Sequence, residues 1–167
     1  MRALALVVLC ACSTTIRVSR DELQADIAEH FPHEIDKRLV VVRLSDPEVS
    51  LPGSRFDLRV RVEATTMTGR STVAGTARVD GQLEYIEAEH AFYLRQPRVT
   101  QLDLEPATGP GHAARLWNRV DVTSTVRAVI LDVLSRHPIY RVKDPKAIRH
   151  LRSARIEDGS LLLKIGW

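Results

Sequence analysis

Apolar and charged residues alternate through the middle of the chain, which is typical of β-strands. Across residues 55–64 every second side chain is apolar and nearly all of those between are charged. This period-two pattern predicts a half-buried antiparallel strand with one solvated face. Similar patterns predict further strands over residues 39–44, 72–79, 83–94 with a bend near 87–89, 99–104, 139–142, 154–157 and 160–167.

A helix is predicted directly before these strands. Ser19 and Glu22 have the spacing of a capping box, in which each side chain accepts a hydrogen bond from the other residue's backbone amide. Leu23, Ile27 and Phe31 recur every four residues and give the helix one apolar stripe. The helix is expected to end before Pro32, because proline is incompatible with a helix interior.

Further helix-boundary and turn signals complete the predicted fold. A long helix over 112–136 ends at His137-Pro138, and Asp144-Pro145 begins a brief helix. The dipeptides Asp80-Gly81 and Asp158-Gly159 each predict a two-residue hairpin. The residues therefore predict one α+β domain, with two main helices against a meandering antiparallel sheet.

The first thirteen residues, MRALALVVLCACS, have the pattern of a bacterial lipoprotein export signal. One basic residue precedes a short apolar run, as a secretory signal requires. Small Ala11 stands before Cys12, and Leu9 lies three positions before that cysteine, whereas Cys10 follows bulky Leu9. The pattern predicts a signal peptide over 1–11, a single mature domain over 12–167 and a lipidated Cys12. An ordinary cleaved signal and a misassigned start codon are the alternatives.

The predicted location in the cell follows from the same segment. Ser13 lacks the acidic character associated with retention in the inner membrane, which favours the periplasmic face of the outer membrane. The apolar run is too short for a transmembrane helix, which needs about 18 residues. Three acyl chains on Cys12 would instead give an effectively permanent anchor, since each buried CH₂ contributes about 0.8 kcal/mol.

Composition excludes several classes of protein. A formal charge of +3 over 167 residues gives no argument for nucleic-acid binding. The chain has two cysteines, and the predicted processing removes one and acylates the other, so no structural disulfide is expected. A hydrophobic fraction of 44% suits one globular domain with a real core.

No pattern of residues indicates catalysis. His30 and His33 flank Pro32 without a third ligand at zinc-like spacing, so neither a metal nor another cofactor is expected. The chain has no Gly-x-Ser-x-Gly motif for a nucleophilic serine. Glu87 and Glu89 have a spacing that fits a solvated edge as well as a catalytic pair. The sequence therefore predicts that the protein is not an enzyme.

Two surfaces are candidates for binding. The segment 141–155 is rich in Arg and Lys and suits either contact with anionic lipid headgroups or cell-envelope polymer or, as the simpler interpretation, a solvated flank. The apolar strand faces suit either a core or a groove for an acyl chain, made shallow by Gly75 and Ala77. These small residues are equally compatible with close approach of a helix. The predicted groove consists of Phe56, Leu58, Val60, Val62, Leu83, Tyr85, Phe92 and Leu94.

Several short segments carry a resemblance to a known family. With the lipoprotein signal, the segments IRVSRDELQ from Ile16, Phe31-Pro32, Pro138-Ile139-Tyr140 and RIEDGSL from Arg155 resemble the YceB-like family of Gram-negative outer-membrane lipoproteins. The resemblance implies a strongly curved antiparallel sheet wrapped around a long helix in the C-terminal half, plus an N-terminal helix. That fold is related to tubular lipid-binding domains. The resemblance also implies acylation of Cys12.

These observations lead to one expected function and one rival. The first is a non-catalytic lipoprotein, anchored to the outer membrane and facing the periplasm, whose domain binds a lipid or another apolar ligand. The rival is an envelope assembly or scaffold lipoprotein that docks a protein partner. An open apolar cavity favours the first, and a fully packed interior favours the second.

Overall fold

Two antiparallel sheets form most of the structure, a computed structural model in which residues 13–37, 40–67, 69, 71–105 and 122–166 are described. The small sheet has the strand order β1-β9-β8, and the large sheet has the order β2-β3-β4-β5-β6-β7. The strands are β1 (Ser13–Ser19), β2 (His33–Lys37), β3 (Val40–Ser50), β4 (Phe56–Thr66), β5 (Thr72–Ile86), β6 (Ala91–Leu104), β7 (Tyr140–Arg141), β8 (Leu151–Glu157) and β9 (Ser160–Gly166).

Among the described residues, three α-helices connect or cover these strands: α1 (Arg20–Ala28), α2 (Val122–Arg136) and α3 (Pro145–His150). The predicted capping box of α1 is confirmed, since Glu22 N donates to Ser19 Oγ at 3.2 Å and Ser19 N donates to Glu22 Oε2 at 2.7 Å. The predicted start of α3 is also confirmed. Asp144 Oδ1 accepts hydrogen bonds from the first turn, and Pro145 occupies the first helical position. None of the described helices is long and apolar enough to cross a membrane.

The expectation of an α+β fold, with two main helices against one sheet or a curved sheet wrapped around a long helix, is wrong, because antiparallel strands in two sheets dominate the described residues. The 15 residues of α2 pack chiefly against β6, and the rest of the structure is dominated by the two antiparallel sheets. One side of α2 is buried and the other, including Thr123 and Arg127, is exposed, whereas a helix enclosed by a sheet is buried all round. The first part of the predicted helix, residues 112–121, lies outside the described residues.

The predicted hairpin at Asp80-Gly81 is also wrong, because β5 continues through both residues. The Asp80 carboxylate accepts two hydrogen bonds from Arg98 on β6, both at 3.2 Å. A Cβ on Gly81 would lie 2.8 Å from the Leu94 side chain, so glycine serves close strand packing here. A bulge lies between Asp80 and Gln82. The chain reverses instead after Ile86, at a 3₁₀ turn over Glu87–Glu89.

The hydrophobic core lies between the large sheet, the helices and the small sheet. Alternate residues of β4 and β9 face it, with exposed fractions from 0% to 3%. Leu23 and Ile27 of α1 and Val126 and Ile130 of α2 are 0–1% exposed and join the same cluster. The other face of each sheet carries polar and charged residues.

Candidate functional site

The eight residues of the predicted groove do lie together, but within the packed core. Six of them are 0–3% exposed, and Leu83 and Tyr85 are half-buried against the same cluster. The Phe92 ring centroid lies 5.1 Å from that of Tyr85 and 6.4 Å from that of Tyr140. An acyl chain on this face would have to displace core side chains. Ligand binding there stays a prediction.

Gly75 serves the pairing of two strands. A Cβ on Gly75 would lie 2.0 Å from the backbone oxygen of Asp103 and 2.9 Å from Leu104 Cα, both on β6. The nearest atoms therefore belong to the neighbouring strand, which accounts for the glycine without a groove. Ala77, two residues on, is 1% exposed within the core.

Two cations of the basic segment 141–155 have acidic partners. Lys143 Nζ donates to Asp26 Oδ1 at 2.5 Å, and the backbone amide of Arg141 donates to Asp26 Oδ2 at 3.2 Å. The hydrogen bond to Asp26 and the charge of that carboxylate raise the pKa of Lys143. Arg155 forms an ion pair with Glu157 at 2.8 Å. Two of the cations thus have structural partners.

The exposed face of the large sheet carries a network of opposite charges. Arg59 on β4 lies 3.9 Å from Glu48 on β3, and Arg78 on β5 lies 3.5 Å from Asp57 on β4. Burial raises the pKa of Asp57, and the Arg78 guanidinium partly offsets that rise. Exposed pairs of this kind contribute only about 0–1 kcal/mol each to stability. These charges therefore contribute little to folding, and we consider their arrangement as a surface that a partner could bind.

Polar clefts lie on this charged face, and two of those lined by described residues hold the largest groups of charged side chains. The first has a volume of about 300 Å³ and holds two arginines against three carboxylates. The second has a volume of about 430 Å³ and holds three arginines against one aspartate. The charged residues are Arg59, Arg61, Asp46, Glu48 and Glu105 in the first cleft and Arg55, Arg95, Arg98 and Asp80 in the second.

Asp80 organises the second cleft. It is 9% exposed, and besides its two hydrogen bonds from Arg98 it lies 3.9 Å from Arg55 Nη1. Gln96 in the same cleft has a φ of 47°, in the left-handed region that residues other than glycine seldom adopt. Arg55 and Arg98 therefore share the Asp80 carboxylate, whereas Arg95 in the same cleft pairs with Glu84.

The sequence does not predict a cluster of three histidines, since nothing in it connects residue 137 with residues 30 and 33. The His137 ring centroid lies 5.6 Å from that of His30 and 4.8 Å from that of His33. Burial lowers the pKa of His137, and the neighbouring histidines and Arg136 lower it further. No group of three His, Cys, Asp or Glu residues within the described ranges is arranged to hold a metal ion.

The predicted lipidation site, Cys12, lies outside the described residues, directly before β1. In a comparison with known families, residues 18–157 match the family described as "Protein of unknown function (DUF1439)". No curated protein matches the chain. The matched part contains both polar clefts and the histidine cluster, and it begins after Cys12.

Proposed function

This chain belongs to the DUF1439 family of proteins of unknown function, and we propose that it is a non-catalytic lipoprotein that docks a protein partner in the cell envelope. In this proposal Cys12 anchors it to the periplasmic face of the outer membrane. The packing of the apolar strand face favours docking of a protein partner over binding of a lipid. Phe56, Leu58 and Val62 are each 0% exposed.

Energetics favour docking over a ligand in the apolar face. Exposing or displacing one fully buried Leu or Phe side chain costs about 1.5–3 kcal/mol in transfer free energy alone. An acyl chain would need several such displacements. A partner on the charged face of the large sheet requires none of them.

The charge distribution indicates what such a partner presents. Two arginines and three carboxylates line the first cleft, and three arginines and one aspartate line the second; Arg61 and Arg95 also pair with Glu63 and Glu84 outside the clefts. Clefts with different balances of charge on one face favour one orientation of a partner that carries the complementary charges. We therefore infer a protein surface with both acidic and basic groups.

Photocrosslinking in cells tests the docking surface. A photoreactive amino acid in place of Thr76, in the first cleft, should yield one dominant protein adduct, and the same group at Thr123 on the exposed side of α2 should not. Arg61→Glu should reduce the adduct several-fold, because it places a fourth acidic group in the first cleft. Equal crosslinking at both positions, or an adduct insensitive to Arg61→Glu, contradicts docking at this face.

A second experiment, on the purified lipoprotein, distinguishes docking from lipid binding. Organic extracts of the purified lipoprotein, analysed by mass spectrometry, should contain no stoichiometric free lipid, and a fluorescent fatty acid should not bind. Stoichiometric lipid that a fatty acid displaces would overturn the docking proposal in favour of an apolar ligand.

The anchor has its own test. Cys12→Ser should move the protein from the membrane fraction to the soluble fraction, whereas Cys10→Ser serves as the matched control and should leave it membrane-bound. Membrane fractionation of the Cys12→Ser protein equal to that of the unmodified chain contradicts acylation at this position.

A further inference from the structure

The exposed face of the small sheet is basic. Val18 on β1 and Leu161, Leu163 and Ile165 on β9 point into the core, so the residues between them point outward. Arg17 and Lys164 are among these exposed residues. They come from adjacent strands, since Thr15 pairs with Lys164 and Arg17 pairs with Leu162.

A bulge adds a third cation to this face. The register of β8 against β9 shifts between Leu151 and Ser153, which takes Arg152 out of the regular alternation. A Cβ on Gly166 would lie 3.0 Å from Arg152 Cγ and 3.5 Å from Arg152 Nε. The Arg152 side chain therefore lies over the end of β9, next to the pair formed by Gly166 and Ser13.

The charges of these three residues are not neutralised by ion pairs within the described part of the chain. No ion pair there involves Arg17, Arg152 or Lys164. Glu157 is the one acidic residue in the sequences of β1, β8 and β9, and it pairs with Arg155, which lies opposite Leu162 in the same row as Arg17. We call Arg17, Arg152 and Lys164 the basic face.

The basic face begins beside the proposed lipid anchor. Cys12 precedes Ser13 by one peptide bond, which separates their Cα atoms by about 3.8 Å. Arg17 is five residues from Cys12, or at most about 17 Å along an extended strand. An acylated Cys12 thus holds the end of β1 at the membrane surface without a linker. Each unpaired cation near an anionic surface strengthens binding by roughly fivefold.

We propose that the basic face binds anionic phospholipid headgroups of the leaflet in which Cys12 is anchored, so that the small sheet lies against the membrane. This inference rests on the proposed acylation of Cys12. The large sheet would then be directed away from the bilayer, with its charged face free for a partner. Of the basic segment 141–155, Arg152 belongs to the basic face, and Arg155, on the same side of the sheet, pairs with Glu157.

The test uses the lipidated protein reconstituted in vesicles of phosphatidylcholine, with or without 25 mol% phosphatidylglycerol. Ser153→Cys places one reactive thiol opposite Lys164, and Ser54→Cys places one in an exposed loop before β4 as a control. Each thiol carries an environment-sensitive fluorophore. Intact-protein mass spectrometry first establishes acylation of Cys12, so failure of the anchor is recognised separately from failure of the basic face.

With phosphatidylglycerol, the fluorophore at position 153 should shift to the blue and be quenched by headgroup spin-labelled lipid, and the one at position 54 should not. The triple variant Arg17→Gln, Arg152→Gln and Lys164→Gln should lower the ratio of docked to undocked protein on the order of 100-fold. The matched triple variant Lys37→Gln, Arg43→Gln and Arg136→Gln removes equal charge elsewhere and should keep docking.

Three outcomes would overturn the proposal. The first is an identical response at positions 153 and 54 in acylated protein. The second is quenching at position 153 that does not depend on phosphatidylglycerol or on the three cations. The third is a response to soluble anionic envelope polymer without a response to the anionic vesicles, which would assign the basic face to that polymer.

Discussion

Lys143→Met and Asp26→Asn break the same ion pair, yet we expect them to destabilise the protein by different amounts. The Asp26 side chain is 8% exposed and the Lys143 side chain is 68% exposed. Removing the lysine leaves a buried carboxylate with the Arg141 amide, at 3.2 Å, as its remaining donor among the hydrogen bonds described. Replacing the aspartate leaves an ammonium group that water solvates.

The expected magnitudes follow from this asymmetry. Breaking a fully buried pair costs about 3–5 kcal/mol, and breaking an exposed pair costs about 0–1 kcal/mol. Because water reaches the lysine side of this pair, Lys143→Met should lower the free energy of unfolding by about 2 kcal/mol. Asp26→Asn keeps an acceptor for the Arg141 amide and should lower it by about 1 kcal/mol.

Urea unfolding followed by circular dichroism measures both changes. A loss of about 2 kcal/mol lowers the midpoint by roughly 1 M for an m-value near 2 kcal/mol/M. In the double variant, Lys143→Met should add almost nothing to Asp26→Asn, because the charge that needs the lysine is gone. Lys146→Met, at an exposed lysine of α3, is the control and should stay within about 0.5 kcal/mol. An Asp26→Asn cost equal to or above that of Lys143→Met would refute the reasoning.

Three further predictions concern the core, the strand pairing and the histidine cluster. Leu58→Ala should cost about 2–5 kcal/mol in urea unfolding, because the residue is 0% exposed; a cost below 1 kcal/mol would show that the site is open. Gly75→Ala should cost about 2 kcal/mol, since its Cβ would overlap the Asp103 oxygen, and a neutral effect contradicts the close approach of β5 and β6. The pKa of His137 is lowered from 6.5 in the folded state, so the unfolded state binds more protons and stability should fall as the pH drops below about 6.5. His137→Gln should weaken this pH dependence of the urea midpoint, and an unchanged dependence rules out His137 as its source.

Local signals were reliable where a short segment determines its own structure. The capping box at Ser19 and Glu22 and the cap at Asp144 formed as predicted, because each needs only three or four consecutive residues. Asp158-Gly159 also forms its predicted turn, with φ values of 50° and 68° that suit a type I′ hairpin. The alternation over β4 was equally clear, since burial of one face decides it.

Asp80-Gly81 has the same dipeptide as Asp158-Gly159, yet it lies within a strand. The difference comes from β6, which supplies Arg98 for the Asp80 carboxylate and Leu94 above the Gly81 backbone. Neither contact is visible in a window around residue 80. The register of β5 against β6 therefore overrides a strong local turn preference. β5 and β6 form one long hairpin in place of the predicted meander of shorter strands.

The candidate binding surfaces depend even more on contacts between residues that are distant in the sequence. Cys12 and the pattern before it are contiguous, so the sequence alone suffices to propose the anchor. Arg17 and Lys164 lie near opposite ends of the chain, and they become neighbours because β1 pairs with β9. Arg152 joins them because of a one-residue bulge and a glycine that leaves room for its side chain. A charge count along the segment 141–155 could not separate Arg152 from Lys143, which has a buried partner. The same strand pairing that brings the basic face together also begins beside Cys12, so the proposed anchor and the proposed headgroup contact would favour the same orientation at the membrane.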